Sequence, residues 1–133
     1  MVNPSEASSP ANAIADRLLS YAVRVVKLTR ALPRDIAARH IADQLLKSGS
    51  APGALYEEAR SAESRKDFVH KLTIALKELA ESRFWLRLTV RAELLPASRL
   101  TAIIQEADEL CRILGKSRAT ARKAPGMPNQ NDK

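Results

Sequence analysis

With 133 residues, 45% of them hydrophobic and only 4% aromatic, the chain can build one domain around a core of aliphatic side chains. With four glycines and few β-branched runs, the chain is not typical of an all-β fold. The single cysteine excludes an intrachain disulfide, and no stretch approaches the roughly 20 consecutive apolar residues of a membrane span. The formal net charge of +7 indicates either a polyanionic partner such as nucleic acid or a basic protein whose charge simply keeps it soluble.

The N-terminal segment, residues 1–11, is rich in serine, proline and asparagine and is predicted to be disordered. It has neither the positive charge nor the apolar run of a secretory signal peptide. Because a single cysteine also suits a reducing compartment, we expect a cytoplasmic protein with no membrane partner.

The first predicted helix begins near Asn12, a plausible N-cap, and stops before Pro33. Two parallel apolar stripes run along it at helical spacing, and their combined face is wider than one neighbouring helix requires. The helix is therefore expected to have more than one neighbour. The first stripe contains Ile14, Leu18, Tyr21, Val25, Leu28 and Leu32, and the second contains Ala15, Leu19, Ala22 and Val26.

The second segment, Asp35 to Ala62, contains the stretch SGSAPGA at residues 48–54, whose composition is typical of a loop. The helical spacing of apolar and small residues nevertheless continues through this stretch in one phase. We therefore predict one helix, kinked at Pro52, in which small residues let another backbone come close. A proline inside a helix costs about 3 kcal/mol, which packing must offset. The alternative is two short helices with a turn at residues 49–53.

The longest predicted helix, Ser64 to Leu95, contains neither glycine nor proline, and we expect the other helices to pack around it. Ser64 and Asp67 resemble a capping box at its start, and Pro96 marks its end. It carries two stripes at helical spacing, one apolar and one apolar only at its ends. The first contains Val69, Leu72, Leu76, Leu79, Leu86 and Val90, and the second contains Ile74, Glu78, Glu81, Trp85, Leu88 and Ala92.

The fourth predicted helix begins near Ser98 as N-cap and either closes at Gly115 or continues towards Ala121. Residues 119–133 are predicted to be a disordered basic and polar tail, so the domain spans residues 12–118. Four helices with short connections favour an all-α, antiparallel up-down-up-down four-helix bundle. The broad apolar stripes predict that this bundle assembles into a homo-oligomer.

Basic residues on three of these helices are candidate phosphate contacts. Arg83, Arg87 and Arg91 form a ladder at four-residue steps, in which each like-charge pair destabilises an isolated helix by roughly 0.2–0.5 kcal/mol unless an anion lies opposite. The low aromatic content predicts little base stacking, so we expect no sequence-specific reading of single strands. The alternative is a solvated basic face and tail. The candidate nucleic-acid-binding residues are Arg24, Lys27, Arg83, Arg87, Arg91, Lys116, Arg118 and Arg122.

Two histidine–carboxylate pairs, His40 with Asp43 and Asp67 with His70, have a three-residue spacing that di-metal helical bundles use. The carboxylates here are aspartates rather than glutamates, and one pair is reversed. We interpret these residues as parts of solvated helix faces, and a metal-dependent enzyme is the alternative that they leave open.

Other candidate chemistry also has a structural interpretation. Glu78 and Glu81 interrupt an apolar stripe and are interpreted as a polar network rather than an acid pair. Cys111 lies beside Leu110 on an apolar face, which is typical of a core thiol without catalytic partners. No glycine in the chain is followed by the Lys-Ser/Thr of a phosphate-binding loop. The sequence therefore predicts no catalytic residue, metal or cofactor.

The region from Ser48 to Leu88 resembles the bacterial four-helix bundle proteins related to the 23S rRNA intervening-sequence protein and to the accessory protein of diversity-generating retroelements. Leu55 and Phe84 stand where the family pattern has asparagine and tyrosine. The similarity extends over about residues 14–118. The matching residues are Ser48, Ser50, Ala54, Glu58, Ala59, Phe68, Lys71, Leu72, Lys77, Glu78, Glu81, Trp85 and Leu86.

This resemblance implies an antiparallel four-helix bundle that assembles into a ring-like homopentamer with a basic surface or channel. It also implies RNA or DNA, a reverse transcriptase or another protein as partners, and it brings no catalytic residues. The resulting hypothesis is a non-enzymatic oligomeric bundle that binds nucleic acid, RNA in the first instance. The alternative is an oligomeric scaffold with a protein partner and no nucleic-acid role.

Overall fold

The computed structural model describes residues 9–124, which contain four α-helices and no strand. The predicted all-α class is therefore confirmed for this part of the chain. Of the predicted disordered segments, residues 1–11 and 119–133, residues 1–8 and 125–133 lie outside the described part of the chain, whereas residues 10 and 11 are helical. The helices are α1 (Pro10–Ala31), α2 (Ile36–Arg60), α3 (Arg65–Arg91) and α4 (Thr101–Lys123), with a 3-10 turn at Ala97–Arg99 before α4.

Helix α1 begins two residues before the predicted N-cap. The Ser9 side chain accepts a hydrogen bond from the Asn12 backbone N–H at 3.0 Å, so serine caps the helix. Pro10 occupies the first turn, where its fixed φ suits the helix and its missing N–H costs nothing. The helix ends at Ala31, just before Leu32 and Pro33, as the proline predicts.

Helix α2 runs without interruption through Pro52, which is buried inside it. The one-helix prediction is confirmed, and the alternative of two short helices is wrong. On either side of the proline, α1 packs closely against the glycines of α2. A Cβ placed on Gly49 would lie 2.8 Å from both methyl groups of Val25, and one on Gly53 would lie 3.6 Å from Leu18. The small residues thus admit a neighbouring helix, as predicted.

Helix α3 begins as predicted, because the Ser64 hydroxyl accepts a hydrogen bond from the Asp67 N–H at 3.0 Å. Its predicted end at Leu95 is wrong by four residues. Glu93 adopts a left-handed φ of 58°, and its N–H bonds to the Val90 carbonyl while the Leu94 N–H bonds to the Thr89 carbonyl. This pair of bonds is a Schellman motif, which ends a helix without proline.

Helix α4 begins later and extends further than predicted. Ser98 lies inside the 3-10 turn instead of capping the helix, and α4 starts at Thr101 without a side-chain cap. Gly115 lies inside α4, where a Cβ would meet nothing within 4 Å. Because the helix continues to Lys123, residues 119–123 of the predicted tail are helical.

Contacts between consecutive helices show that neighbours run antiparallel. Gly49 faces Val25 while Gly53, further along α2, faces Leu18, which lies earlier on α1. The hairpin of α2 and α3 is closed by an ion pair between Glu58 and Lys71 at 3.1 Å. On the other side of α3, Arg83 pairs with Asp108 of α4 at 2.9 Å. The predicted four-helix bundle is consistent with these contacts.

The core is mostly aliphatic, although Tyr56, Ser48 and Thr89 are also buried, and one buried polar link crosses the bundle. The Tyr21 hydroxyl of α1 lies 2.7 Å from the Ser82 hydroxyl of α3, and both residues are fully buried. Since Ser82 donates to the Leu79 carbonyl, the tyrosine is the donor between the two hydroxyls. Burial raises the pKa of Tyr21 to about 12. The neutral phenol is therefore the form that this core accommodates.

One face of α1 and α2 leaves apolar side chains uncovered. Leu19 is 62% exposed, Val23 is 44% exposed and Leu46 of α2 is 40% exposed. Leu19 also borders a groove between α1 and α2 that includes Gly53. The second apolar stripe of α1 thus finds no full cover within one chain, in line with the predicted width of the face. We refer to this surface as the α1–α2 face.

Candidate nucleic-acid interface

The arginine ladder lies on the C-terminal half of α3, but its three members have different surroundings. Arg83 is held by the Asp108 carboxylate, so its charge is neutralised within the bundle. Arg87 and Arg91 are exposed, and neither has a carboxylate within 4 Å among residues 9–124. Arg87 and Arg91 are therefore the members of the ladder that can bind an anion from solution.

These arginines border a groove of about 470 Å³ on the outer surface of α3. Phe84, 56% exposed, stands in the groove, and the side chains of Ala80 and Leu88 continue its apolar strip one turn to each side. We call this surface the Phe84 groove; its lining residues are Ala80, Arg83, Phe84, Arg87, Leu88 and Arg91.

The Phe84 ring is supported by a small aromatic cluster. The centroids of Phe84 and Trp85 lie 5.0 Å apart at an interplanar angle of 79°, and the ring of His40 on α2 lies 5.6 Å from Trp85 in a similar edge contact. The Trp85 indole donates a hydrogen bond to Glu81 at 3.0 Å. Edge-to-face contacts of this kind are favourable beyond the area that they bury, so they hold the cluster in place.

The exposed phenylalanine was not anticipated, because low aromatic content predicted few stacking surfaces. The signal that could have revealed it is its position. Phe84 belongs to neither of the two stripes of α3, so the helical pattern assigns it to no buried face. Glu81, in the neighbouring stripe, accepts the hydrogen bond of Trp85, so its position in that stripe is explained without an acid pair.

The candidate residues of α1 lie in the same half of the bundle as the ladder. Arg24 and Lys27 are both exposed. The guanidinium groups of Arg24 and Arg83 each act on the buried Tyr21 hydroxyl, lowering its pKa against the larger effect of burial. Arg24 and Arg83 thus lie within electrostatic reach of the same core tyrosine.

Arg17, on the same face of α1 by sequence, is committed to α4. It contacts Glu106 at 2.7 Å and Glu109 at 3.1 Å. The hydrogen bond that Arg17 donates to Glu106 is the main reason that the pKa of Arg17 is raised above its ordinary value. This guanidinium links α1 to α4 and is not available to a ligand in this arrangement.

The candidates of α4 lie at the other end of the bundle. Lys116 and Arg122 are exposed, whereas Arg118 is half-buried and donates to the Thr73 hydroxyl at 3.4 Å. Thr73 lies in the N-terminal half of α3, far along the helix from Arg87. The structure therefore separates the eight predicted residues into two basic regions rather than one continuous surface.

Contacts within the bundle account for both members of the first histidine–aspartate pair. His40 packs on Trp85, and Asp43 forms an exposed ion pair with Lys47 at 3.1 Å. The Asp67 N–H is bound by the Ser64 cap. Within residues 9–124 no three histidine, cysteine or acidic side chains are grouped so as to hold a metal ion.

Cys111 is half-buried and packs against the core. Burial raises the pKa of its thiol, which keeps the thiol protonated and lowers its nucleophilicity at neutral pH. This environment is that of a packing residue, as the sequence predicted.

None of the described helices is both long and apolar enough to traverse a lipid bilayer.

Comparison with known proteins identifies relatives of this bundle. A family model described as the 23S rRNA-intervening sequence protein matches residues 12–116. A crystal structure of a protein with unknown function from the S23 ribosomal protein family of Bacteroides thetaiotaomicron is 35% identical, with a TM-score of 0.77 over 83% of this chain and 98% of that one. No curated protein matches the sequence.

Proposed function

Because the chain belongs to the family of 23S rRNA-intervening sequence proteins, we propose that it is a non-enzymatic, oligomeric helical bundle that binds nucleic acid, RNA in the first instance, through its basic surfaces. The observation that carries this proposal is the contrast along the ladder of α3. Arg83 is neutralised by Asp108, while Arg87 and Arg91 are exposed without a carboxylate partner among the described residues. Two such cations beside an uncovered ring suit a phosphate-bearing ligand.

Phosphate binding predicts a steep dependence of affinity on salt. The affinity of the full chain for a generic RNA should fall by orders of magnitude between about 50 and 200 mM salt, because bound phosphates release counterions. Arg87→Ala should weaken binding and reduce the slope of log K against log salt by about one, whatever the RNA sequence. Fluorescence anisotropy titrations over a salt series measure both quantities.

Lys66→Ala is the matched control. Lys66 is exposed in the first turn of α3, about 30 Å from Arg87 along the helix at 1.5 Å per residue. Lys66→Ala removes the same charge as Arg87→Ala and should leave the slope of log K against log salt nearly unchanged. An equal effect of both variants would show that net charge, and not the ladder, determines binding. The absence of RNA binding at low salt would contradict the proposal itself.

The proposal includes assembly into a ring-like homopentamer. A closed ring requires two different faces on each protomer, and the α1–α2 face supplies one apolar candidate. Its exposed members, Leu19 and Val23, would be covered by a neighbouring copy. This assembly is supported by the uncovered apolar area and by the width of the α1 stripes.

Leu19→Glu should shift the protein from oligomer to monomer, because an unpaired carboxylate is costly to bury in an apolar contact. Ile36→Glu serves as control, since Ile36 is 88% exposed at the start of α2, about 15 Å from Leu46 along the helix at 1.5 Å per residue. Sedimentation equilibrium at matched protomer concentration measures the stoichiometry. A stable wild-type monomer, or an oligomer unchanged by Leu19→Glu, would contradict this use of the face.

A scaffold that binds another protein is the second candidate function. The same α1–α2 groove favours it, because an uncovered apolar strip beside small residues can accept a partner helix. The RNA titrations separate the two functions. A scaffold alone should show no ladder-dependent RNA affinity, while its partner should be lost with Leu19→Glu.

A further inference from the structure

Among the residues of α3, Phe84 is the one large hydrophobic side chain that the bundle leaves more than half exposed. It is flanked by Ala80 on one side and Leu88 on the other, and arginines complete the lining of the groove. An aromatic ring with this exposure is accessible to a ligand. Such a surface gains free energy when a flat apolar group covers it.

The ring is held before any ligand arrives. Trp85 contacts it edge to face at 5.0 Å, and Trp85 is itself fixed by the Glu81 hydrogen bond and by His40. Because the side chain is already ordered, stacking a ligand on Phe84 carries a smaller entropic cost. This support distinguishes Phe84 from an isolated surface apolar residue.

The charges around the ring select the ligand. Arg87 and Arg91 stand three and seven residues beyond Phe84, on the same side of the helix, and their Cβ atoms lie about 5–6 Å apart. No carboxylate lines the groove. A ligand that matches this surface combines a planar apolar group with negative charges close by, as a nucleotide does.

The size of the groove argues against a folded partner. Its volume of about 470 Å³ lies within the range of small-molecule sites, roughly 300–1,000 Å³. A stable protein partner would cover about 800 Å² on this side. A duplex is also excluded from stacking, because its base faces are already covered by neighbouring base pairs, whereas single strands expose them.

We propose that the Phe84 groove binds single-stranded nucleic acid, with a base stacked on Phe84 and the adjoining phosphates held by Arg87 and Arg91. This inference rests on the proposed function and specifies its substrate class. It departs from the expectation of little base stacking, and it agrees with the expectation that single strands are not read sequence-specifically. Recognition by stacking is tolerant of sequence, so preference for strandedness rather than for a base is expected.

The test compares a short labelled oligouridylate with an RNA duplex of equal length, using the full chain at constant salt. The protein should bind the single strand more tightly than the duplex. Phe84→Ala should weaken single-strand binding at least about fivefold and leave duplex binding unchanged, while Phe84→Tyr should retain both. Ile36→Ala, which removes an 88% exposed apolar group at the start of α2, is the matched control and should change neither.

A second measurement does not depend on variants. Trp85 is the single tryptophan of the chain and lies against Phe84. Saturation with oligouridylate should quench its fluorescence, and an equal charge of polyphosphate, which has no bases, should not. Circular dichroism and light scattering of Phe84→Ala show whether fold and assembly are retained.

The possible failures are distinguishable. If Phe84→Ala binds single strands normally while Arg87→Ala does not, the stacking inference is wrong and the proposed function stands. If wild type binds no RNA at low salt, both are wrong. If Phe84→Ala alters the oligomeric state but not RNA affinity, the groove is a contact between copies and the inference is overturned.

Discussion

Gly49→Leu is expected to lower the free energy of unfolding by about 3 kcal/mol or more, the largest effect of any single change considered for this bundle. The reason is the contact with α1. Even a lone Cβ at position 49 would lie 2.8 Å from both γ-carbons of Val25, a side chain that is fully buried and stiff at χ1. Leucine adds three more carbons, so α1 and α2 must separate.

Denaturant unfolding at a fixed protomer concentration measures this loss. Gly115→Ala provides the opposite control, because its Cβ meets nothing and alanine favours a helix interior by roughly 0.5–1 kcal/mol. Val25→Ala should restore part of the stability of Gly49→Leu, since it removes the clashing methyl groups. Equal stability of Gly49→Leu and wild type would show that α1 does not approach α2 at this point.

Raising the pH from 10 to 12 is expected to remove about 2 kcal/mol of stability through Tyr21 alone. Burial raises the pKa of this phenol from its ordinary value of 10.0 to about 12, so the folded state retains a proton that the unfolded state has lost. The stabilising contribution is therefore complete below pH 10 and is lost as the pH rises through 12. Unfolding titrations at a series of alkaline pH values measure it.

Tyr21→Phe isolates the contribution of this group. At neutral pH the variant loses the hydrogen bond to Ser82, which costs about 0.5–1.5 kcal/mol, while Ser82 keeps its bond to the Leu79 carbonyl. At pH 12 the variant no longer has a buried phenol to ionise. Its stability curve should therefore cross that of wild type between these pH values.

Tyr56→Phe controls for the second buried tyrosine. The pKa of Tyr56 is also raised by burial, but its hydroxyl has no link across the bundle to α3. This variant should keep the alkaline loss that belongs to Tyr21. If Tyr21→Phe and wild type lose stability in parallel above pH 10, the phenol is not responsible.

The four helices and their buried faces were predictable because helix periodicity is a local property. The stripe from Leu18 to Leu28 is buried as predicted, and the spacing through Pro52 revealed a helix where composition indicated a loop. Helix ends were predicted less well. The Schellman motif at Glu93 carries no glycine, so nothing in the residue types marked it.

The candidate interface was only partly predictable. The ladder on α3 is visible in the spacing of its arginines. The spacing does not show which of them is ion-paired within the bundle and which are open to a ligand. Arg83 meets Asp108, which lies 25 positions later in the chain, and Arg17 meets Glu106 across 89 positions. Such pairings depend on how α4 packs against its neighbours, and no periodicity within one helix encodes them.

By itself, then, the amino-acid order determined which segments are helical, which faces are apolar, and that arginines recur at four-residue steps on α3. Those features arise from interactions within a few residues of one another. Only the tertiary structure decided which arginines have no carboxylate partner and can therefore bind a ligand, and that Phe84 is exposed to solvent beside them. The reason is that neutralisation and burial are set by groups on other helices, brought near by packing rather than by sequence.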